Sequence, residues 1–248
     1  DALPIWGTVT KFGASNAQPF VYNSAPGGGT TVYCNVTSMT AAYDHFYTLG
    51  VKTTNESWGC PTHSVDGFVQ DFNARQRGVF ITKAAGTGPN TVFGCRPANA
   101  LCVGGMTPSN SISGDATQNP YTSTGQFVLD REEPDLVALS DQIQVMLLTG
   151  TTNWRYTNGT SYAAPLVAAM ATLVKERCNL ETLSPRLLRA MLLTGSWYYD
   201  PESQASGGLA FSTQPKPGGT VNPNLPGFID QFGSFGKDYA DGAGGPTG

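Results

Sequence analysis

Residues 156–178, YTNGTSYAAPLVAAMATLVKERC, place a serine immediately before a long apolar segment. From Ser161 to about Glu176 the segment is apolar almost all the way round, which predicts a buried helix. A serine at a helix N-terminus lies among free backbone N–H groups and at the positive end of the helix dipole. Its own N–H group can hold an oxyanion while its hydroxyl attacks a carbonyl. The stretch therefore predicts either a nucleophile at Ser161 or a serine that merely begins the helix.

The composition restricts the class of protein and of partner. A chain of 248 residues suits one domain with a full core. Charged residues make up 13% of the chain, and the net charge of −4 comes with no basic run, so we expect no nucleic-acid partner. Apolar runs fall short of the ~18 residues that a membrane span needs. The 30 glycines and 17 prolines indicate long loops on a compact scaffold.

The cysteines and the low charge favour an exported protein, which would be secreted, extracellular or periplasmic. Cys95 and Cys102 bracket the short loop CRPANALC and can close a small disulfide, and Cys34 and Cys60 can form a second one. Cys178 is then free or pairs outside the chain. Sequons for N-glycosylation agree with export; they begin at Asn35, Asn55 and Asn158. No CxxC or HxxxH spacing is present, so we expect no metal and no cofactor.

Two amphipathic helices are predicted in the first half of the chain. The first covers residues 38–49, with Ser38 as its N-cap and Gly50 after its end. Its apolar face comprises Met39, Ala42, Tyr43 and Phe46. The second ends at Gly78, and its predicted apolar face comprises Val65, Phe68, Val69 and Phe72.

Strands and helices alternate along the chain. Predicted strands have the sequences VKTTNES, VFITKAA, ALCVGGM and PDLVAL, and a last helix starts at Pro185 with Ser184 as its N-cap and Gly195 as its stop. Such alternation implies crossover units and a mostly parallel sheet. We therefore expect an α/β protein with three layers (α/β/α) and a single domain over residues 1–248. Residues 1–195 would form its core and residues 196–248 a Gly/Pro-rich, loop-dominated C-terminal part.

The octapeptide NGTSYAAP at residues 158–165 resembles the nucleophile motif G-T-S-x-A-A-P of the subtilisin-like serine proteases, the subtilases. Five further segments resemble motifs of this family and occur in the family order. They are NSAPGGGTTVYCNV (23–36), VKTTNESWGC (51–60), GVFITKAAGTGP (78–89), PANALCVGG (97–105) and EEPDLVAL (132–139), the last with Leu139 where proline is usual.

The resemblance implies a subtilisin-like fold and a serine endopeptidase that forms an acyl-enzyme on Ser161. It implies that Ser57, Trp58 and Gly59 bind the backbone of a peptide or protein substrate by strand pairing, with Gly86 also in the substrate groove. The backbone N–H of Ser161 would hold the oxyanion.

The Asp and His motifs of the family are not found in this chain. Trp6 in IWGTVTKFG either marks the position of the family's His or matches by accident, and Asp1 has neither the strand nor the glycine of the Asp motif. The Asp-bearing strand lies in the middle of the family's sheet, so we expect the chain to lack the N-terminal strand or strands. The missing His and Asp would come from polypeptide upstream of Asp1, as a cleaved N-terminal fragment, or from a partner chain.

A second departure affects the oxyanion hole. The family's asparagine donor is replaced by Thr87, whose side chain is shorter, and we expect no substitute from Asn90. Two hypotheses about function therefore stay open. The first is a serine endopeptidase completed by further polypeptide, in which Thr87 assists Ser161. The second is a catalytically inactive module that binds peptide or protein, in which NGTSYAAP only starts and packs the helix.

The other titratable residues are expected to be structural. His45 lies in the middle of the first predicted helix, and His63 follows SWGCPT in a surface loop rather than acting as a replacement base. Asp44, Asp66 and Asp71 lie on the two amphipathic helices, where solvated or capping charges are usual.

Overall fold

Four parallel strands form the centre of the molecule. The computed structural model describes residues 20, 35–59, 65–86, 95–107, 117–118, 125–127, 131–146, 154–177 and 183–194. The order across the sheet is β1–β2–β3–β7, with β1 at one edge of the described strands. These strands are β1 (Thr53–Glu56), β2 (Phe80–Ala84), β3 (Leu101–Thr107) and β7 (Leu136–Leu139). All their mutual pairings are parallel, so their carboxyl ends lie at one edge of the sheet, and the four strands predicted from the sequence are confirmed.

The remaining described strands are short and antiparallel. Strand β4 (Thr117–Gln118) pairs with the end of β3. A two-stranded ribbon consists of β5 (Gly125–Phe127) and β6 (Arg131–Glu133), and a second one of β8 (Ile143–Met146) and β9 (Trp154–Thr157). The second ribbon matters for the site because β9 leads directly into the helix that carries Ser161.

Helices cover both faces of the sheet, which confirms the three layers. They are α1 (Val36–Thr48), α2 (Val65–Gln76), α3 (Thr160–Arg177) and α4 (Pro185–Thr194). Phe80 of β2 points into a core shared with α3 and α4, and the next residue, Ile81, points into a core shared with α1 and α2. This alternation is the one expected of a strand buried on both faces. Among the described helices, none is long and apolar enough to cross a membrane.

Small side chains let α3 lie close to the sheet. Ala163, Ala164, Val167 and Ala171 are completely buried, and the helix contacts all four parallel strands. The buried helix predicted from residue 161 is confirmed. Pro165 lies beyond the first turn, so its missing N–H leaves one carbonyl without its intrahelical donor. That carbonyl, four residues back, belongs to Ser161.

The N-cap of helix α1 lies three residues earlier than the sequence predicted. Its N-cap is Asn35, whose side-chain oxygen accepts a hydrogen bond of 2.9 Å from the N–H of Ser38. Ser38 is therefore inside the first turn, and the prediction that it caps the helix is wrong. Asparagine is at least as good an N-cap as serine, so the helix starts at the earlier residue. The predicted end is confirmed, because Gly50 follows with a φ of 71° that favours glycine.

The predicted apolar face of α2 is wrong for its two phenylalanines, while Val69 packs against the core as predicted. Phe68 is 73% exposed and Phe72 is 54% exposed, while the polar residues Gln70 and Asn73 are buried. The helix has turned its polar side to the sheet because a buried carboxylate there needs a donor. Gln70 supplies one from its side-chain nitrogen to Glu56. A buried charge without such partners costs more than leaving two phenylalanines in contact with water.

The loop of residues 95–102 is held from both helical layers. Asp71 of α2 accepts hydrogen bonds from the backbone N–H groups of Ala98 and Asn99, at 3.1 and 2.7 Å. Arg189 of α4 donates to the carbonyl of Ala98 at 3.1 Å and also contacts Asp135. Asp71 is therefore a capping group for a loop of another element. The predicted start of α4 is confirmed, since Ser184 accepts from the N–H of Leu187 at 3.2 Å.

We predict that Lys175 makes stability rise with pH above about 8. Its burial in α3, and secondarily the charge of Lys52, lowers the pKa of Lys175 from 10.5 to about 8. Between these values the unfolded chain binds more protons than the folded one, so the free energy of unfolding rises with pH. Below pH 8 Lys175 is charged in both the folded and the unfolded protein, so the folded protein carries the full free-energy cost of burying this charge.

The test is urea unfolding of the wild type and Lys175→Met across this pH range. The wild type should gain at most about 3 kcal/mol over the variant as the pH rises. The variant should be the more stable of the two near neutral pH. Parallel pH curves for the two proteins would contradict the prediction.

Candidate active site

Ser161 lies at the N-terminus of α3, where the parallel strands end. Gly159 forms the turn into this helix with a φ of 140°, which side-chain-bearing residues rarely adopt. Its N–H donates to the carbonyl of Ser140, just after β7, at 2.8 Å, and its carbonyl accepts from Tyr162 at 2.9 Å. The turn places the side chain of Ser161 at the surface while the next turn of the helix is buried.

Ser57 and Ser161 are joined by two reciprocal hydrogen bonds. The hydroxyl of Ser57 donates to the carbonyl of Ser161 at 2.8 Å, and the hydroxyl of Ser161 donates to the carbonyl of Ser57 at 3.2 Å. The first bond compensates for Pro165, which has no N–H to offer that carbonyl. Asn55 donates to the Ser57 hydroxyl at 3.0 Å, so the side chain of this sequon asparagine is engaged inside the protein.

Gly86 joins the same site from the end of β2. Its N–H donates to the hydroxyl oxygen of Thr160 at 3.1 Å, and its φ is 113°. Thr160 is buried, so this bond fixes the chain after β2 against the start of α3. The structure therefore brings together Ser57, Gly86 and Ser161, which the sequence predicted as site residues. Thr87 and Trp6 lie outside the described residues.

A buried charge network lies beside this site. Glu56 and Lys83 are register partners on β1 and β2, with 3.2 Å between Nζ and Oε2. Lys83 also donates to the carbonyl of Trp58 at 3.0 Å, and its ammonium lies 4.0 Å from the centre of the Trp58 ring. Tyr43 and Gln70 donate to Glu56 from the helical layer. Burial, and secondarily the Glu56 charge, raises the pKa of Tyr43 well above its usual value.

Sequence reasoning missed Glu56 and Lys83, although a signal was present. Each is a charged residue inside a segment predicted to be a strand, and each stands three residues before a glycine of the site, Gly59 or Gly86. When two parallel strands end at the same level, residues at equal distances from those ends are neighbours across the pair, as Glu56 and Lys83 are. Opposite charges at matched positions of two buried strands therefore predict a buried ion pair.

The described residues contain no proton acceptor for Ser161 other than a carbonyl. Within these ranges, the hydrogen-bond partner of its hydroxyl is the backbone oxygen of Ser57. His45 is exposed on α1, in the layer on the opposite face of the sheet from α3. His63 and the side chain of Asp66 lie outside the described part of the chain.

Comparison with known proteins identifies the family that this arrangement matches. A family model described as the subtilase family matches residues 13–230. The PatG macrocyclase in complex with peptide is a similar solved structure, with a TM-score of 0.60 and 17% identity over 79% of this chain and 56% of that one. A mutant of the protease domain of PatA has a TM-score of 0.57 and 19% identity over 80% of this chain and 66% of that one.

These two likenesses concern the fold, since both identities are low. The chain spans less than two thirds of the length of either similar structure. No curated protein sequence matches the chain.

We predict that loss of the Thr160 hydroxyl destabilises the protein. Thr160→Val keeps the shape but leaves the N–H of Gly86 without its acceptor, which should cost about 1–3 kcal/mol. Thr160→Ser keeps the acceptor and should cost about 0.8 kcal/mol for the lost methyl group. Urea unfolding measures both.

The matched control is Thr172→Val on the same helix. Its hydroxyl donates to the carbonyl of Ala168 at 2.9 Å, so removal leaves no buried donor unpaired. Equal losses for the valine variants at positions 160 and 172 would contradict the assigned role of Thr160.

Proposed function

Because the chain belongs to the subtilase family, we propose that it is a serine endopeptidase domain in which Ser161 forms the acyl-enzyme. The observation that carries this proposal is the exposed Ser161 hydroxyl at the start of α3, beside the end of β1 and Gly86. Ligands of open α/β sheets bind at the carboxyl ends of the strands, where this serine lies. The family membership and the position of Ser161 together favour acyl transfer.

The first turn of α3 supplies the electrostatic part of the mechanism. The N–H group of Tyr162 bonds to the Gly159 carbonyl, but a helix has no acceptor four residues back for its first N–H groups, and the helix dipole favours negative charge at this end. When the Ser161 oxygen attacks a substrate carbonyl, the developing oxyanion can accept from the N–H of Ser161. Thr87 is proposed as a second donor. The Ser161 hydroxyl has to exchange its bond to the Ser57 carbonyl for one to a base before it can react.

The base and its orienting carboxylate are proposed to be a His and an Asp from polypeptide upstream of Asp1, contributed by a cleaved fragment or a partner chain. Support comes from the Ser161 hydroxyl, whose partner among the described residues is a carbonyl oxygen. A carbonyl accepts a hydrogen bond but does not take the proton at neutral pH, so a general base is still required.

The proposed substrate is an extended segment of peptide or protein. Residues 57–59 follow β1 at the edge of the described sheet, and such a segment can pair with a substrate strand through its backbone groups. Gly59 is exposed and carries no side chain that would block a strand. The similar PatG structure contains a bound peptide, which agrees with a peptide ligand.

A catalytically inactive module that binds peptide or protein is the second candidate. The bond from the Ser161 hydroxyl to the Ser57 carbonyl favours it, because this bond gives the serine a structural use. NGTSYAAP then serves only to begin α3 and to pack it on the sheet. Peptide binding by residues 57–59 is common to both candidates, and only reactivity of Ser161 separates them.

We predict that a fluorophosphonate probe labels Ser161. Mass spectrometry of the intact natural protein, with any associated fragment retained, should show one adduct that disappears in Ser161→Ala. The matched control is Ser184→Ala, because Ser184 is also an exposed serine at a helix start but lies at the N-cap of α4. It should leave labelling unchanged. An unlabelled Ser161 in the complete protein would support the inactive module and end the endopeptidase proposal.

We further propose that the protein is secreted, extracellular or periplasmic, with a disulfide between Cys95 and Cys102. Their Cα atoms are 5.3 Å apart, within the usual disulfide range. Both side chains are buried against Ala85. Such bonds persist in oxidising compartments. The Cys34–Cys60 pair and Cys178 lie outside the described residues.

The disulfide is tested by alkylation and peptide mapping. In protein purified without reductant, Cys95 and Cys102 should resist iodoacetamide until a reductant is added under denaturing conditions. Alkylation of both thiols in unreduced, denatured protein would show that the bond is absent.

A further inference from the structure

The buried ammonium of Lys83 makes two contacts with Trp58. Its nitrogen donates to the carbonyl oxygen of Trp58 at 3.0 Å. The same nitrogen lies 4.0 Å from the centre of the indole ring, within the range of a cation–π interaction. Lys83 is completely buried, whereas Trp58 is half-buried. One side chain thus holds both the backbone and the ring of the central residue in the segment of residues 57–59.

The carboxylate that balances this charge accepts from three side-chain donors. Glu56 is the register partner of Lys83 and lies 3.2 Å from its ammonium. Tyr43 donates to one carboxylate oxygen, and Gln70 and Lys83 donate to the other. Because Tyr43 and Gln70 come from the two packed helices α1 and α2, the position of Lys83 is set by the helical layer.

Stability alone does not account for this pair. Replacing a buried ion pair by well-packed apolar residues of similar volume is often neutral or stabilising. What apolar residues cannot supply is a donor to the Trp58 carbonyl. The Ser57 carbonyl faces the Ser161 hydroxyl, and the next carbonyl, that of Trp58, faces Lys83. Successive carbonyls of an extended chain point to opposite sides, so the carbonyls of Ser57 and Trp58 have different partners.

We propose that Lys83 is a positioning residue for substrate: it anchors Trp58 so that the backbone groups of Ser57 and Gly59 stay aligned for strand pairing with a peptide. Lys83 has this role only if residues 57–59 bind peptide, as in the proposed function. It does not touch the substrate and acts through Trp58. Its loss should therefore weaken peptide binding more than it slows the chemical step.

Two double variants separate anchoring from charge. Both carry Glu56→Gln, which removes the counter-charge. Gln70 presents its side-chain nitrogen to Glu56, so its amide has to turn over before the new amide, which accepts from Tyr43, can donate to Gln70 Oε1. That oxygen is buried and has no partner among the described residues. In this background, Lys83→Gln keeps a neutral donor for the Trp58 carbonyl and Lys83→Met removes it. The two side chains at position 83 are similar in length and uncharged.

The probe is fluorescein-labelled casein, an unfolded polypeptide. Binding is measured by anisotropy in the Ser161→Ala background of the full chain, and KM and kcat by turnover with Ser161 present. The methionine double variant should bind about ten-fold more weakly than the glutamine one, the effect of one hydrogen bond. KM should rise by the same factor while kcat changes less. Thermal unfolding of both variants checks that they are folded.

Equal binding by the two double variants would overturn the role of Lys83, as would a wild type that does not bind the polypeptide. Failure of the endopeptidase proposal has a different signature, because it abolishes turnover and fluorophosphonate labelling but leaves the binding comparison in Ser161→Ala readable. If the two double variants differ in binding but the wild type shows no turnover, Lys83 keeps its positioning role in a catalytically inactive module that binds peptide.

Discussion

The close packing of α3 against four parallel strands is the constraint on which the site depends. Alanine and valine side chains on the inner face of this helix are completely buried, so the helix cannot slide or rotate without opening a cavity. Its first turn is therefore held at the carboxyl ends of the strands. Ser161 has a defined position because the residues after it are packed, and this holds for an enzyme and for a binding module alike.

Pro165 explains why the start of α3 is joined to β1. A proline at this point of the helix leaves the carbonyl of Ser161 unpaired, and the Ser57 hydroxyl provides the missing donor. The same Ser57 offers its own carbonyl to the Ser161 hydroxyl. A local defect in the helix thus ties the candidate nucleophile to the candidate substrate-binding segment.

The buried pair of Glu56 and Lys83 determines contacts of α1 and α2, the helices on the face of the sheet opposite α3. Its carboxylate requires donors, which determines that α2 presents Gln70 rather than its phenylalanines to the sheet. Phe68 and Phe72 are left exposed as a consequence. Pairing the Glu56 charge has here outweighed burial of the two phenylalanines. An unpaired charge in the core costs more free energy than burial of an exposed ring would provide.

Local sequence signals were enough for most elements of the fold. Short segments alternating with helical ones, among them the β-branched VFITKAA, predicted the four parallel strands, and Ser184 with Pro185 predicted the start of α4. NGTSYAAP predicted both the buried helix and the position of Ser161. These features depend on backbone conformation, capping and periodicity, which act over a few residues and are therefore visible in the sequence.

The tertiary structure alone decided which groups meet. Ser57 and Ser161 are 104 residues apart in sequence, and their reciprocal hydrogen bonds follow from sheet order and helix placement. Periodicity wrongly placed Phe68 and Phe72 on the buried face of α2, because it weighs hydrophobicity within one helix and takes no account of a carboxylate on a neighbouring strand. The sequence by itself determined the strands, the helices and the serine at the start of α3. Their partners depended on the assembled sheet, because burial and long-range hydrogen bonds exist only after folding.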